Sequence, residues 1–193
     1  MKLLLTRHGQ SLWQTLGEVA GLDAPLSPLG VAQAHRLGVY LARYESPARI
    51  SASPLLRAQQ TAEIVAHYLD APVTFDNDLR EFESWDAGDP PSPVDMWRTM
   101  AAAPPHPAYT AFRERVQGAL ERVIGATPAA EEAVLVVAHG GTLGTLLRLL
   151  LDSATMRIWT PNTALHSLRW TGDFWLLRYV NQQEHLPRPL RSR

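Results

Sequence analysis

Two short apolar runs, Leu3-Leu4-Leu5 and Val134 to Ala138, lie far apart in the chain, and each leads into a histidine followed by glycine. The first passes through Thr6-Arg7 to His8-Gly9; the second runs straight into His139-Gly140. Neither run alternates with polar residues, which is the pattern of a strand covered on both faces. Sheets of that kind take their ligands at the carboxyl edge, where the strands end. Two strand ends that carry two histidines and an arginine therefore point to a site for a multiply charged anion, with phosphate the first candidate.

The remainder of the chain supplies the covering helices. Ser27-Pro28 is a helix start, with serine as N-cap and proline in the first turn. Leu29, Ala32, Leu37, Tyr40, Leu41 and Tyr44 then recur at roughly helical spacing up to Pro47. Ala48 to Ser51 reads as a second strand, and Ser53-Pro54 repeats the helix-start signal. Leu55, Ala58, Ala62, Val65, Ala66 and Leu69 share one face before Pro72 blocks continuation. Val73 to Phe75 reads as a third strand, about Ala108 to Ile124 as a helix, and Gly140-Gly141 opens another with Leu143, Leu146, Leu147, Leu150 and Leu151 inward. Ala164 to Trp170 and Phe174 to Val180 read as strands joined by Thr171-Gly172-Asp173. Strands alternating with helices predict an α/β fold, a three-layer α/β/α sandwich on a mostly parallel central sheet.

With 193 residues the chain fits a single domain spanning 1–193. Pro90, Pro91, Pro93, Pro104, Pro105 and Pro107 crowd one stretch, so an irregular inserted lid is expected at about 82–110, with one short helix near Val94 to Met100. Trp85, Met96 and Trp97 are placed to line that lid or to pack it down. The other tryptophans, Trp159, Trp170 and Trp175 among them, read as core or edge-strand packing. The tail from Leu186 to Arg193, with two prolines and three arginines, reads as mobile.

A formal net charge of −1 gives no field to hold nucleic acid or an anionic membrane. Nearly all the positive charge is arginine, Lys2 being the sole lysine, so arginine position rather than abundance carries the argument. The absence of cysteine removes disulfides, zinc ribbons and thiolate nucleophiles together. Arg7, His8 and Gln10 interrupt the apolar start too early for a signal sequence, and no apolar stretch approaches a membrane span. The chain reads as a soluble, cytoplasmic protein without nucleic-acid or membrane partners; its edge strands and lid offer surfaces for a homodimer.

Position gives several residues a chemical meaning. An imidazole that attacks phosphorus needs one ring nitrogen neutral and the other N–H held by an acceptor. Gly9 beside His8 lets backbone approach an anion, and the Arg7 fork matches phosphate oxygens. Arg57, in the first turn of the helix after Ser53-Pro54, faces an unfavourable dipole unless an anion sits with it. His139, before Gly140-Gly141, is placed to donate to a phosphoryl oxygen. Each alone is an ordinary residue; the set is not.

LTRHGQS at 5–11, LSPLGVAQA at 26–34, SPLLRAQQTAEIV at 53–65, LRE at 79–81 and VVAHGGTL at 136–143 together resemble the histidine phosphatase superfamily, the phosphoglycerate-mutase-like group with the Arg-His-Gly signature. The resemblance runs over essentially the whole chain. It implies that His8 is the histidine phosphorylated during turnover and that Arg7, Arg57, His139 and Gly140 complete the phosphate pocket. It places Glu81 as proton donor to the leaving oxygen, with Gln14 where the mutase branch has a phosphate-touching asparagine. Asn162-Thr163 resembles a short motif that buttresses the site. The function implied is a metal-independent phosphomonoesterase that acts on a phosphorylated small molecule through phosphohistidine, with no cofactor.

After Glu81 the chain departs from the family's Gly-x-Trp-Glu-Gly pattern, reading Phe82-Glu83-Ser84-Trp85-Asp86-Ala87-Gly88, so Glu83 and Asp86 stand as alternative acids. Two other functions fit the same residues. RHGQSLWQ is similar to the opening of cofactor-dependent phosphoglycerate mutases, although the chain is short for that branch. A phosphoprotein phosphatase, or a phosphate-binding regulator without turnover, is the other.

Overall fold

A computed structural model describes residues 1–21, 23–82, 107–126 and 132–192. The apolar runs become β1 (Lys2–Arg7) and β4 (Ala133–Ala138), joined in one sheet by β2 (Arg49–Ala52), β3 (Val73–Phe75), β5 (Leu165–Trp170) and β6 (Trp175–Gln182). The strand order is β3-β2-β4-β1-β5-β6. From β3 to β1 the strands run parallel; β5 and β6 are antiparallel additions on the far side of β1.

Period-two alternation divides the core between the sheet's two faces. Leu3 and Leu5 of β1 and Val134 and Val136 of β4 pack against Phe112, Val116 and Leu120 of α4 (Pro107–Gly125) and Leu143, Leu146 and Leu147 of α5 (Gly140–Leu150). Leu4, Leu135 and Val137 point the other way, onto Leu37 and Leu41 of α2 (Pro28–Tyr44) and Ala58, Ala62 and Val65 of α3 (Leu56–Leu69). This is the expected three-layer α/β/α arrangement. Each leucine removed wholly from water contributes about 1.5–3 kcal/mol. A fifth, short helix, α1 (Trp13–Leu16), follows the loop after β1.

Ser27 caps α2 as the sequence predicts: its hydroxyl accepts from the Gly30 amide at 3.1 Å. That first turn lies directly on the loop after β1. A Cβ at Gly30 would come within 1.9 Å of the Gln10 carbonyl oxygen, and one at Gly9 within 2.5 Å of the Gly30 oxygen. Glycine is required at both because two backbones meet there.

Three expectations change. Ser53 does not cap α3; the helix starts at Leu56, and the Leu56 amide donates instead to Asp23 Oδ1 at 2.6 Å. Trp159 is not core packing, since 55% of it is exposed. The tail is built into the fold through Ser192: Leu186 is buried, and the Gln33 side chain holds the Leu190 carbonyl at 2.8 Å. Proline and arginine content is a poor guide where single carbonyls find buried donors. Of the expected lid, residues 83–106 lie outside the described residues, and with them Glu83, Trp85, Asp86, Met96, Trp97 and the short helix. Among the described residues no helix is long and apolar enough to cross a membrane.

Candidate active site

The register of the central strands builds the site. Arg7 of β1 pairs with Ala138 of β4, so the next residue on each strand, His8 and His139, emerges side by side at the carboxyl edge. The His8 amide donates to the Ala138 carbonyl at 3.0 Å, and the two imidazole centroids are 5.1 Å apart. On the other side of β4, Ala52 pairs with Val137, which brings Ser53 to the same edge. The site therefore sits where parallel strands end, as the two apolar runs imply.

His8 is oriented at both ring nitrogens. Nδ1 lies 2.7 Å from the Gly9 carbonyl oxygen, an acceptor only, so the proton resides on Nδ1 and the lone pair on Nε2. Nε2 faces Arg57, whose Nε–H donates to it at 3.2 Å. Burial, followed by the charges of Arg7 and Arg57, holds the His8 pKa well below the ordinary imidazole value. The ring is thus neutral, with its lone pair directed toward a guanidinium.

His139 carries the opposite polarity. Its Nε2 is 2.8 Å from the Ser53 hydroxyl, while Ser53 Oγ also accepts from the Leu55 amide at 3.3 Å. The Ser53 hydroxyl, which accepts from the amide, has its proton to give the imidazole; with that bond made, Nε2 accepts and Nδ1 carries the N–H. That Nδ1 is buried and has no hydrogen-bond partner among the described residues. Burial, followed by coupling to the adjacent His8 ring and by the charges of Arg57 and Arg7, keeps this ring neutral too.

Arg7 Nη1 donates to the Thr160 carbonyl at 3.0 Å, and the exposed Trp159 indole lies against its guanidinium, 5.4 Å from ring centroid to Cζ. Arg7 Nε, like His139 Nδ1, is a buried donor with no partner among the described residues. Burial lowers the Arg7 pKa, and the Glu81 carboxylate opposes that shift. Two half-buried guanidinium groups, a neutral N–H donor and a lone pair make a setting matched to a tetrahedral dianion.

Glu81 approaches from the other side on the first turn of α5. Its Oε2 accepts from the Gly141 amide at 3.0 Å and its Oε1 from the Thr142 amide at 3.1 Å. The positive end of the α5 dipole is thereby occupied by this carboxylate. Gly141 is needed for the approach, since a Cβ there would sit 2.6 Å from Glu81 Oε1. Arg115 of α4 holds the backbone that presents Glu81, donating to the carbonyls of Asn77, Arg80 and Glu81. Gly140, the first residue of α5, directly follows His139.

Gln14 lies at the rim and pairs with Asn162 through both amide groups, Nε2 to Oδ1 at 3.1 Å and Nδ2 to Oε1 at 3.0 Å. The second Asn162 N–H donates to the His8 carbonyl at 2.9 Å. Among the described residues no three of His, Cys, Asp and Glu gather into a set that would hold a metal ion.

A model of the histidine phosphatase superfamily, branch 1, matches residues 3–183. The chain belongs to that superfamily. Among relatives of this histidine phosphatase is a protein of Bacillus subtilis named as the uncharacterized phosphatase PhoE, 30% identical over 186 residues, covering 94% of this chain and 95% of the relative. A probable phosphoglycerate mutase GpmB of Yersinia pestis is 29% identical over 210 residues, covering 98% and 96%. Of the solved structures, a mycobacterial glucosyl-3-phosphoglycerate phosphatase in complex with VO3 superposes with a TM-score of 0.77 at 26% identity, covering 94% of this chain and 99% of that one.

The structure brings His8, Arg7, Arg57, His139 and Glu81 to one edge of the sheet, with Gln14 at its rim. Sequence reasoning missed what Ser53 does, because a Ser-Pro pair before a helix has the same letters whether the hydroxyl caps the helix or turns to a histidine. It also missed Thr61, whose hydroxyl accepts from the Gly9 amide at 3.0 Å and donates to the Arg57 carbonyl at 2.7 Å, tying the loop after β1 to α3. The single available signal was a polar residue on the apolar face of α3.

Proposed function

We propose that this chain is a phosphomonoesterase that works without a metal ion and passes the phosphoryl group through His8. One observation carries the reading: the His8 lone pair is fixed on Nε2 and directed at Arg57, with the buried Arg7 Nε and His139 Nδ1 donors beside it. In the first step Nε2 bonds to phosphorus as the ester P–O bond breaks, and Glu81 gives its proton to the departing alcohol oxygen. In the second, water attacks phosphorus, Glu81 takes a proton from it, and the P–N bond breaks to release phosphate. Arg7, Arg57 and His139 bear the charge on the equatorial oxygens, the role a divalent cation fills elsewhere. Gln14 Nε2, which gives one of its two hydrogens to Asn162, has the other to offer a phosphoryl oxygen.

The likeness to a phosphatase with VO3 bound and to PhoE supports hydrolysis, and the substrate class taken from them is a phosphorylated small molecule. The likeness to GpmB supports a second reading, phosphoryl exchange on a glycerate. Incubation with 3-phosphoglycerate separates the two, since hydrolysis releases inorganic phosphate and exchange moves it between hydroxyls. The main test is hydrolysis of p-nitrophenyl phosphate in the presence of a chelator, with acid-labile phosphoenzyme trapped by quenching. Activity and phosphoenzyme should both vanish in His8→Ala; undiminished turnover by that variant overturns the assignment.

A further inference from the structure

We propose that the C-terminal segment from Leu186 to Ser192 is a positioning element of the nucleophile loop, acting through two buried amides, Gln33 and Asn162; the proposal rests on His8 being the nucleophile.

Both amides are bridges with one end on the tail and one on the loop. Gln33 is completely buried in α2; its Oε1 accepts from the Gln10 amide at 2.8 Å and its Nε2 donates to the Leu190 carbonyl at 2.8 Å. Asn162 is 1% exposed; its Nδ2 donates to the His8 carbonyl, and its Oδ1 accepts from the Ser192 hydroxyl at 2.7 Å. A side-chain amide fixed at one end alone can rotate, or flip its oxygen and nitrogen. Fixing both ends makes its direction unique. The tail therefore orients Gln33 through the Leu190 carbonyl and, beside the Gln14 amide, adds a second donor that holds Asn162 Oδ1; the two amides in turn hold the backbone of Gln10 and His8.

The segment is itself anchored. Leu186 is 1% exposed, and Arg191 donates to the carbonyls of Leu186 and Gln183. A short 3-10 turn, Arg188–Leu190, then directs the Leu190 carbonyl at Gln33. Asn162 Oδ1 also receives Gln14 Nε2, so Ser192 acts on the rim residue as well. Ser192 touches no reacting atom and is a positioning residue, not a catalytic one.

The test compares Ser192→Ala, Ser192→Thr and a chain ending at Pro189 with the full chain, measuring kcat, KM, Tm and amide hydrogen exchange. Ser192→Ala should lower kcat about threefold to tenfold, the scale of one positioning hydrogen bond, with KM and Tm unchanged. Ser192→Thr, which keeps the hydroxyl, should restore kcat. Removal of Leu190 onward should speed exchange at the Gln10 amide, because Gln33 loses the carbonyl that orients it. Unchanged kcat in Ser192→Ala, or a fall matched by lower Tm, overturns the proposal, as does unaltered Gln10 exchange in the shortened chain. Should the full chain hydrolyse no monoester, the functional reading fails, whereas the exchange measurement still decides whether the tail holds the loop.

Discussion

Arg57 Nε donates to His8 Nε2 across 3.2 Å, so a cation from the first turn of α3 rests on the lone pair that would attack phosphorus. The contact has two consequences of opposite sense. It adds to burial and Arg7 in keeping His8 unprotonated, and it must give way when a phosphoryl group enters between the two. An arginine suits both, since its planar guanidinium carries several N–H donors in a fork that matches phosphate oxygens.

Removing this cation should be visible in the pH profile. Burial, then Arg7 and Arg57, lower the His8 pKa. Arg57→Ala removes one of the two charges, so the pKa rises toward 6.5 and His8 protonates at higher pH. The acid limb of kcat/KM should move upward, with the plateau reduced about 10²–10³-fold for the lost charge stabilisation. Arg57→Lys should recover little, lacking the fork. An acid limb that stays in place in Arg57→Ala would show that this contact does not govern His8.

Glu81 is held by the Gly141 and Thr142 amides, and its proposed work depends on the leaving group. Glu81→Gln should cost about 10²–10⁴-fold on alkyl phosphates, which need a proton, and far less on p-nitrophenyl phosphate, which departs without one. Gly141→Ala should imitate it, because the new Cβ would displace the carboxylate, the end of a flexible side chain, with little change in Tm. Equal losses on both substrates would remove Glu81 from the acid role, as Glu83 or Asp86 would then have to serve.

Ser53→Ala removes the hydroxyl that fixes the His139 tautomer. The ring can then present a lone pair at Nδ1 where an N–H is needed. We expect kcat on p-nitrophenyl phosphate to fall roughly tenfold, in keeping with one lost oriented donor at a charged transition state. Stability should fall by about 1–3 kcal/mol, because the buried His139 Nε2 is left without its partner. Full activity in Ser53→Ala would mean that His139 needs no help to choose its tautomer.

Acid should unfold this protein early. As pH falls through about 6.5 the histidines of the unfolded chain take up protons. In the folded chain burial, aided by neighbouring arginines, keeps His8 and His139 neutral, and burial lowers His166 and His185 to about 4. The unfolded state thus binds more protons, so stability is full above 6.5 and declines below it. Each histidine contributes up to about 1.4 kcal/mol per pH unit, the His166 and His185 contributions levelling off near pH 4. Urea midpoints from pH 7.5 to 5 check this, and a flat profile would contradict it.

Much of the layered fold was legible because it depends on local pattern: uninterrupted apolar runs for β1 and β4, and a Ser-Pro start for α2. That His8 and His139 belong to one carboxyl edge was legible from the two apolar runs, but their direct adjacency was not, since nothing local to either strand states that Arg7 lies beside Ala138. Ser53, Thr61 and the tail escaped for a different reason. Each acts through one hydrogen bond to a residue far away in sequence, and a single polar contact leaves no periodic trace. The tail misled outright, as proline and arginine content describes its solubility while two buried amides decide its place.

The Arg7–Ala138 register has a bearing on how such a chain can diversify. Both imidazoles ride on neighbouring ribs of one rigid frame, so the long stretch of polypeptide joining those ribs can be lengthened, trimmed or rewritten without altering their spacing. A slip of a single residue in either rib would instead turn its histidine to the opposite side and abolish the pair at once. Novelty in what the protein accepts should therefore accumulate in the connecting segments, while the two innermost strands tolerate no insertion.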